Sequence, residues 1–227
     1  MAIKPEELDY AKIYLEDRYV RSIKNKKIDP VYNLSYFERL YLNDSDPWNC
    51  STSVYHQKKF SDTLALLPRP TYNEVLDAGC GNGIFTSLIS ERAHQVLGID
   101  FSKKAAQLAR ERCESLANVS IQNCDLLKMP PKQQCDLIVC SELLYYLSKP
   151  KSNKELARKI LVELLSPSGH LVIVTALFVD DWEKYLEEDK RLIVLKQKAF
   201  DFPPHRPYRI TIFEKSGLTT ENGFGSA

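Results

Sequence analysis

The nine residues Asp77–Phe85, DAGCGNGIF, follow the run Glu74–Leu76 and precede a helical pattern of apolar residues. A strand that enters a loop with glycines at 79, 81 and 83 can turn sharply, and it lets a ligand approach without meeting a Cβ atom. The stretch therefore predicts a strand, a ligand-binding loop and a helix, the unit that begins nucleotide-binding α/β folds.

The glycine spacing differs from the fingerprint of dinucleotide sites. That fingerprint, G-x-G-x-x-G, needs a third glycine at position 84 to admit a pyrophosphate, and Ile84 stands there. A hydride-transferring enzyme is therefore disfavoured.

Two acidic residues follow the loop where the next predicted strands end. Asp100 closes the strand Gln95–Asp100, about 20 residues after the loop, where a carboxylate reaches the ribose hydroxyls of a bound nucleoside. Asp125 comes just after the short predicted strand Asn118–Gln122. Ordinary turn chemistry would explain the glycines alone, but the three features in register indicate a nucleoside site.

The pattern D-x-G-x-G-x-G over Asp77–Gly83 resembles motif I of the class I S-adenosylmethionine-dependent methyltransferases. The resemblance implies S-adenosyl-L-methionine as cofactor and S-adenosyl-L-homocysteine as product, with Asp125 near the adenine amino group. It also implies an α/β, Rossmann-like fold: a seven-stranded, mostly parallel sheet with a terminal antiparallel hairpin and an N-terminal helical cap.

Three further strings narrow the resemblance: Tyr41–Trp48 (YLNDSDPW), Ser53–Phe60 (SVYHQKKF) and Asp136–Leu147 (DLIVCSELLYYL). Together they resemble the nodulation protein S family of N-methyltransferases. The similarity runs from about residue 36 to 147 and resumes over Arg206–Thr211, whereas the first thirty residues and 176–205 match no pattern that we can name.

The resemblance implies a cofactor site built from the N-terminal segment, the glycine loop and the following strand ends. In the family the D-P-W segment closes over the cofactor, so Trp48 is expected beside the nucleoside or methionine chain and Lys59 at the methionine carboxylate. The expected cofactor-binding residues are Trp48, Tyr55, Lys59, Asp77, Gly79, Cys80, Gly81, Gly83, Asp100, Phe101, Asp125, Leu126 and Ser141.

Methyl transfer from a sulfonium is an in-line displacement, in which the protein positions the nucleophile and excludes water. An amine with a pKa of about 10 is mostly protonated at neutral pH, so a carboxylate or an imidazole must take its proton. The expected catalytic residues are Glu142, just after the fourth strand, and His205, with Tyr146 lining the acceptor pocket. Glu142 could instead bond only a loop, and Tyr146 could be a packing residue. His56, where relatives tend to have Glu, is a further candidate.

The remaining pattern continues the alternation of strands and helices. Helices are predicted over Glu6–Lys24, Ser35–Leu42, Val54–Leu67, Thr86–Arg92, Ser102–Ala117 and Lys154–Leu165. Strands are predicted over Asp136–Cys140 and His170–Thr175, and a reversed hairpin over Arg191–Phe200 and Pro207–Glu214. We expect a helical cap over residues 1–70, a methyltransferase core over 71–216 and a flexible tail over 217–227.

The composition limits the possible classes of function. A chain of 227 residues with 44% hydrophobic residues suits one α/β domain with an elaboration. A net charge of +1 disfavours a nucleic-acid partner. The fourth predicted strand leads into Ser141–Leu144 and not into the N/D/S-P-P-Y/F string that holds a flipped base, so a base substrate is disfavoured. Four histidines isolated in sequence predict no metal site.

Several features point to a soluble, cytoplasmic protein. The six cysteines form no C-x-x-C pair, which favours free thiols in a reducing compartment. No apolar run has transmembrane length and no signal peptide begins the chain, so no membrane partner is expected. A monomer or a homodimer would fit.

The sequence thus predicts a methyltransferase acting on a small molecule, with an amine nitrogen of an amino sugar or another metabolite as the favoured acceptor. The alternative acceptor is a hydroxyl of a sugar or secondary metabolite, which would make the protein an O-methyltransferase. A non-catalytic nucleoside-binding module is a third reading, and the intact set of cofactor residues argues against it.

Overall fold

The computed structural model describes residues 33–177, 181–203 and 205–217. Its helices are α1 (Leu34–Asn43), α2 (Val54–Leu66), α3 (Ile84–Ile89), α4 (Lys103–Cys113), α5 (Lys151–Leu164) and α6 (Trp182–Glu187), with 3₁₀ turns at Ser90–Arg92 and Leu144–Leu147. Its strands are β1 (Tyr72–Ala78), β2 (Ala93–Asp100), β3 (Val119–Asn123), β4 (Cys135–Ser141), β5 (Leu165–Ala176), β6 (Leu192–Phe202) and β7 (His205–Lys215).

The seven strands form one sheet in the order β3-β2-β1-β4-β5-β7-β6. Strands β1 to β5 run parallel, and β7 is antiparallel to both of its neighbours. The predicted fold class is therefore confirmed, including the reversed terminal hairpin. The strand order changes direction between β1 and β4, so the crevice at their carboxyl ends is the expected ligand site.

Alternating residues of the strands build a core on each face of the sheet. Leu76 and Ile138 pack into one cluster with residues of α5 and α6, such as Leu161 and Trp182. On the other face, Val75 belongs to a second cluster with residues of α2, α3 and β7. Because side chains alternate along a strand, both faces must be apolar, which explains the uninterrupted hydrophobic runs of β1 and β4.

Several predicted boundaries differ from the structure. Helix α4 ends at Cys113 rather than near residue 117, and β5 begins at Leu165, directly after α5. Strand β5 therefore begins five residues before the predicted His170, and Ser168, with a φ of 57°, lies where its pairing with β4 is interrupted. The hairpin strands are longer than predicted because Phe202 already pairs with His205.

Some predictions fall on residues that the structure does not describe. The first predicted helix, Glu6–Lys24, lies outside the described residues, and so does the tail beyond Gly217. Helices α1 and α2 match the other two helices predicted for the cap. The division into cap, core and tail stays a prediction.

Gly83 provides a test of how tightly the loop and α4 are packed. Its φ is +79°, and a Cβ there would lie 2.9 Å from both the Cα and the Cβ of Ala109 in α4. We expect Gly83→Ala to lower the free energy of unfolding by about 2–4 kcal/mol, through backbone strain and overpacking. Chemical denaturation measures this value.

The control is Gly217→Ala, because a Cβ at Gly217 would meet only Ser168 Oγ, at 3.5 Å. Equal stability of the two variants would contradict the proposed close packing of Gly83 on α4.

Candidate active site

The glycine loop makes a tight turn from β1 into α3 and is hydrogen-bonded to the end of β2. The φ angles of Gly79, Gly81 and Gly83 are all positive, at 75°, 56° and 79°. The backbone N–H groups of Gly79 and Cys80 both donate to the carbonyl of Ile99, at 2.9 Å. These angles favour glycine, and the absent side chains leave the loop open to a ligand.

A cavity lies beside this loop, at the carboxyl ends of β1, β2 and β4. Residues of α1, α2 and the loop between them form part of its wall. The predicted site residues that line it are Trp48, Lys59, Asp77, Gly79, Cys80, Gly81, Asp100, Phe101, Leu126, Ser141, Glu142 and Tyr146, and the further candidate His56 joins them. The structure therefore brings most of the predicted set together.

Four predicted residues are not part of this lining. Tyr55 packs in the core, and Gly83 faces α4. The carboxylate of Asp125 accepts the N–H groups of Leu127 and Lys128, at 3.0 and 3.2 Å, and so caps the turn after β3. Its neighbours along the chain, Cys124 and Leu126, line the cavity instead.

His205 is the fourth, and its position does not suit the predicted role as proton acceptor. Its ring is exposed and stacks on the ring of Tyr55, with centroids 4.9 Å apart. The next residue, Arg206, lines the cavity instead. Successive side chains of a strand point to opposite sides, so β7 can direct only one of these two residues into the cavity.

Two buried carboxyl groups stand behind the glycine loop. Asp77 accepts a hydrogen bond from Thr86 Oγ1 at 2.6 Å. Asp100 accepts the N–H groups of Gly81 and Ser102, at 3.0 and 2.8 Å. Burial raises the pKa of each carboxyl group to about 6, because desolvation disfavours the charged form.

Helix α1 is attached to the sheet through the first turn of α4. Glu38 Oε2 accepts Ser102 Oγ–H at 2.7 Å and the N–H of Lys104 at 3.2 Å. A carboxylate is favourable there because the N-terminal end of a helix carries partial positive charge. Ser102 therefore links Glu38 of α1 to Asp100 at the end of β2.

The site residues predicted from the sequence do not include part of the aromatic wall. Phe37 of α1 lies 4.9 Å from Tyr146, 5.5 Å from Phe101 and 6.3 Å from Trp48, measured between ring centroids. Tyr41, on the next turn of α1, approaches Gly81 so closely that a Cβ there would lie 2.5 Å from the tyrosine oxygen. The apolar spacing of α1 marks both residues as buried, but it does not show which surface they cover.

Glu142 joins three elements through one carboxylate. Its Oε1 lies 2.7 Å from Lys59 Nζ in α2, and its Oε2 lies 3.5 Å from a terminal guanidinium nitrogen of Arg206 in β7. The residue has a φ of 53°, and its N–H donates to the carbonyl of Val174. A left-handed backbone angle at a non-glycine residue costs free energy and is found preferentially at functional sites.

The charges around Glu142 decide its protonation. Burial alone would raise the pKa of this carboxyl group, but Lys59 and Arg206 outweigh burial and lower the pKa to about 2. Glu142 is therefore ionised at neutral pH. As a carboxylate it accepts hydrogen bonds, but it is a poor proton acceptor.

Lys59 is enclosed, with 1% of the residue exposed. Its ammonium lies 4.8 Å from the ring centroid of Tyr55, one helical turn earlier, and 5.8 Å from that of Tyr208. The faces of the two rings complement its charge. Tyr208 in turn donates to Asp62 Oδ2 at 2.6 Å, which ties β7 to α2.

His56 is the imidazole of the cavity lining. Burial lowers its pKa to about 4, and the nearby charge of Lys59 acts in the same direction. The ring is therefore neutral at neutral pH, and its basicity is weak.

Comparison with known proteins shows the family of the chain. The sequence profile described as Nodulation protein S (NodS) matches residues 34–181. The chain belongs to the nodulation protein S family. It is 28% identical to Nodulation protein S of Sinorhizobium fredii over 161 residues, which cover 70% of this chain and 74% of that protein. It is 29% identical to the Bradyrhizobium diazoefficiens protein over 132 residues, 58% of this chain and 63% of that protein.

The fold is also that of a solved member of the family. The N-methyltransferase NodS of Bradyrhizobium japonicum WM9, in complex with S-adenosyl-l-homocysteine, superposes with a TM-score of 0.70. The match has 24% identity and covers 80% of this chain and 97% of that one. Family and fold confirm the predicted enzyme class, an S-adenosylmethionine-dependent methyltransferase.

Among the described residues, no helix is long and apolar enough to cross a membrane. No three histidine, cysteine, aspartate or glutamate side chains among them are grouped as a metal site.

The raised pKa of Asp77 makes stability depend on pH. The ordinary value is 3.8 and the folded value is about 6, so ionisation costs the folded state more than the unfolded state. This contribution is therefore favourable below about pH 4 and is lost as the pH rises through about 6. Asp77→Asn keeps an acceptor for Thr86 but does not ionise, so it removes this dependence of stability on pH.

We expect the free energy of unfolding of Asp77→Asn, relative to that of the wild-type protein, to increase by about 1–3 kcal/mol between pH 4 and pH 8. Urea unfolding without cofactor measures it at each pH. A stability difference that does not change with pH would show that Asp77 ionises normally in the folded protein.

Proposed function

We propose that the protein transfers a methyl group from S-adenosyl-L-methionine to an amine nitrogen of a small molecule. The observation that carries this proposal is the cavity at the carboxyl ends of β1 and β4. The glycine loop and Asp100 line one side of it, and the ion-paired cluster of Lys59, Glu142 and Arg206 lines the other. A family member of the same fold is described as an N-methyltransferase.

The described residues fit the cofactor. The loop at Gly79 and Gly81 offers an approach that a Cβ atom would fill, since one at Gly81 would already clash with Tyr41. In this proposal Asp100 binds the ribose hydroxyls, Trp48 and Phe101 pack on the nucleoside end, and Lys59 binds the methionine carboxylate. The cofactor supplies the methyl carbon as part of a sulfonium.

The protein's main contribution is position and exclusion of water. Rings of Phe37, Phe60, Phe85, Tyr145 and Tyr146 form much of the wall, and they leave little room for solvent around a bound acceptor. The Glu142 carboxylate accepts a hydrogen bond from the acceptor amine, which orients the nitrogen lone pair toward the methyl carbon.

Glu142 does not take the proton of the amine in this proposal. With a pKa of about 2 for Glu142 and about 4 for His56, neither group can deprotonate an alkylammonium ion efficiently at neutral pH. The acceptor must therefore react from its neutral amine form. The same weak bases disfavour an alcohol, which needs stronger base assistance, so the O-methyltransferase alternative is less well supported.

The direct test follows labelled methyl from S-adenosylmethionine to a panel of amines, amino sugars and hydroxylated metabolites, with mass spectrometry locating the label. Label on nitrogen is expected. Label on oxygen alone would support the O-methyltransferase alternative. Cofactor binding without any transfer would support a non-catalytic module.

A second prediction concerns the pH dependence of the reaction. Because the amine reacts in its neutral form without an enzyme base, kcat/KM should rise with pH up to the pKa of the acceptor itself. Two accepted amines whose pKa values differ by about 2 units should show rate profiles displaced by about the same amount. Profiles that coincide would instead reveal a protein group as the proton acceptor.

A third prediction tests the ribose assignment. We expect Asp100→Ala to weaken cofactor binding about 30-fold or more, since the ribose hydroxyls and the N–H groups of Gly81 and Ser102 lose their acceptor. Isothermal titration calorimetry gives the affinity, with Glu91→Gln, an exposed carboxylate after α3, as control. An unchanged affinity would refute the assignment of Asp100.

A further inference from the structure

The hydroxyl group of Tyr41 belongs to the cavity wall and has no hydrogen-bond partner among the residues that the structure describes. Tyr41 lies in the last turn of α1, and 6% of the residue is exposed. Buried polar groups in folded proteins are nearly always hydrogen-bonded. A buried phenol without a protein partner, in the wall of a ligand cavity, therefore indicates a partner on the ligand.

This oxygen faces the cavity and is not sealed in the core. The oxygen of Tyr185, in α6, gives the contrast, because it has almost no accessible surface and that residue is not part of the cavity lining. Tyr41 Oη is not enclosed in this way. It is also the part of the side chain nearest to the glycine loop: a Cβ at Gly81 would lie 2.5 Å from Oη and 3.7 Å from Cζ. The hydroxyl thus stands at the loop along which the cofactor is expected.

The protonation of Tyr41 decides what its hydroxyl can do. Burial raises the pKa of this phenol well above its ordinary value of 10, and the nearby charge of Asp100 acts in the same direction. The group is therefore a neutral phenol at neutral pH, with one proton to donate. The adjacent N–H of Gly81 is not a competing donor to this oxygen, because it is given to Asp100 at 3.0 Å.

Contacts on both sides of α1 fix the position of Tyr41. Its ring meets that of Trp48 edge to face, with the centroids 5.6 Å apart. The loop after α1 is tied to the glycine loop, since Asn82 Nδ2 donates to the carbonyl of Ser45 at 2.8 Å. The hydroxyl is therefore held in place before a ligand binds, which lowers the entropy that binding costs.

The groups of the cofactor differ in the partners that they need. The ribose hydroxyls are assigned to Asp100, and the ammonium group has only protons to offer. The methionine carboxylate only accepts hydrogen bonds, and its two oxygens have room for several donors. Lys59, its expected partner, already donates to Glu142 Oε1 at 2.7 Å. A second donor at this carboxylate is therefore favourable.

Tyr41 and Lys59 are placed to share such a ligand. Both line the cavity, from α1 and α2. Cys50, in the loop that joins the two helices, also lines it and lies within electrostatic range of both residues. The two donors thus belong to one wall of the cavity.

We propose that the Tyr41 hydroxyl donates a hydrogen bond to the carboxylate of bound S-adenosyl-L-methionine and, with Lys59, holds the methionine end against the glycine loop. No proton of the reaction passes through the phenol, so its effect is to fix the position of the sulfonium. The inference rests on the cofactor and not on the acceptor, and it holds whether nitrogen or oxygen is methylated.

The first experiment measures the binding of two ligands by isothermal titration calorimetry, with the full chain and no acceptor. One is S-adenosylhomocysteine, and the other is its decarboxylated analogue, 5′-deoxy-5′-(3-aminopropylthio)adenosine, which keeps the nucleoside, the thioether and the ammonium group. The wild-type protein should bind S-adenosylhomocysteine about 30-fold or more tightly than the analogue, because the carboxylate accepts charge-assisted hydrogen bonds.

The second experiment assigns part of this difference to Tyr41. Tyr41→Phe keeps the ring and removes only the hydroxyl. It should weaken binding of S-adenosylhomocysteine about 10-fold or more and change the affinity for the analogue less than about 3-fold. Tyr185→Phe is the matched control, because it removes a buried tyrosine hydroxyl outside the cavity lining. It should bind both ligands as the wild-type protein does.

Three outcomes would overturn the inference. An equal loss on both ligands with Tyr41→Phe would place the hydroxyl at the nucleoside or give it only a structural role. Unchanged binding of both would show that the hydroxyl meets only water. A wild-type protein that binds both ligands equally would exclude recognition of the carboxylate, and this result needs no variant to fold. Each leaves the proposed N-methyltransferase standing, since the acceptor labelling tests that function; failure to bind S-adenosylhomocysteine at all would overturn both.

Discussion

The buried ion pair between Lys59 and Glu142 is the interaction on which the cavity depends. It joins α2 to the end of β4, and the two charges lie 2.7 Å apart with Lys59 almost fully enclosed. Taking both ions out of water costs several kcal/mol each, and only good geometry and further partners offset that cost. Arg206, Tyr55 and Tyr208 supply those partners. The same contacts that hold α2 on the sheet therefore also keep Glu142 ionised at neutral pH.

The glycine-loop side of the cavity has the opposite electrostatics. Asp77 and Asp100 are buried, no cation of the described residues forms an ion pair with either, and burial raises the pKa of each to about 6. Carboxyl groups in such positions reduce stability at neutral pH, a cost that enzymes commonly bear where the group binds a ligand. The cavity thus has a carboxyl-rich end at the loop and an ion-paired end at Lys59, Glu142 and Arg206.

The helical segment before the core completes both ends. Phe37 and Tyr41 of α1 cover the glycine loop, and Glu38 attaches the same helix to α4 through Ser102. Helix α2 contributes Lys59 and His56 to the ion-paired end. A cofactor enclosed between the loop and this segment would be shielded from water, which is what an in-line methyl transfer requires.

Much of the fold could be predicted from the sequence because local patterns determine it. Three glycines that need positive φ mark the loop after β1, and apolar runs that suit strands covered on both faces mark β1 and β4. The same patterns placed Asp77, Gly81 and Asp100 in one crevice, since parallel strands bring their carboxyl ends to one edge.

Only the tertiary structure decided which cations meet Glu142 and which residue of β7 enters the cavity. Those depend on contacts between Lys59, Glu142 and Arg206, which lie far apart in the chain, and on the register that turns Arg206 inward and leaves His205 exposed. Distance in sequence carries no information about charge neighbours, so the protonation of the site was decided by packing.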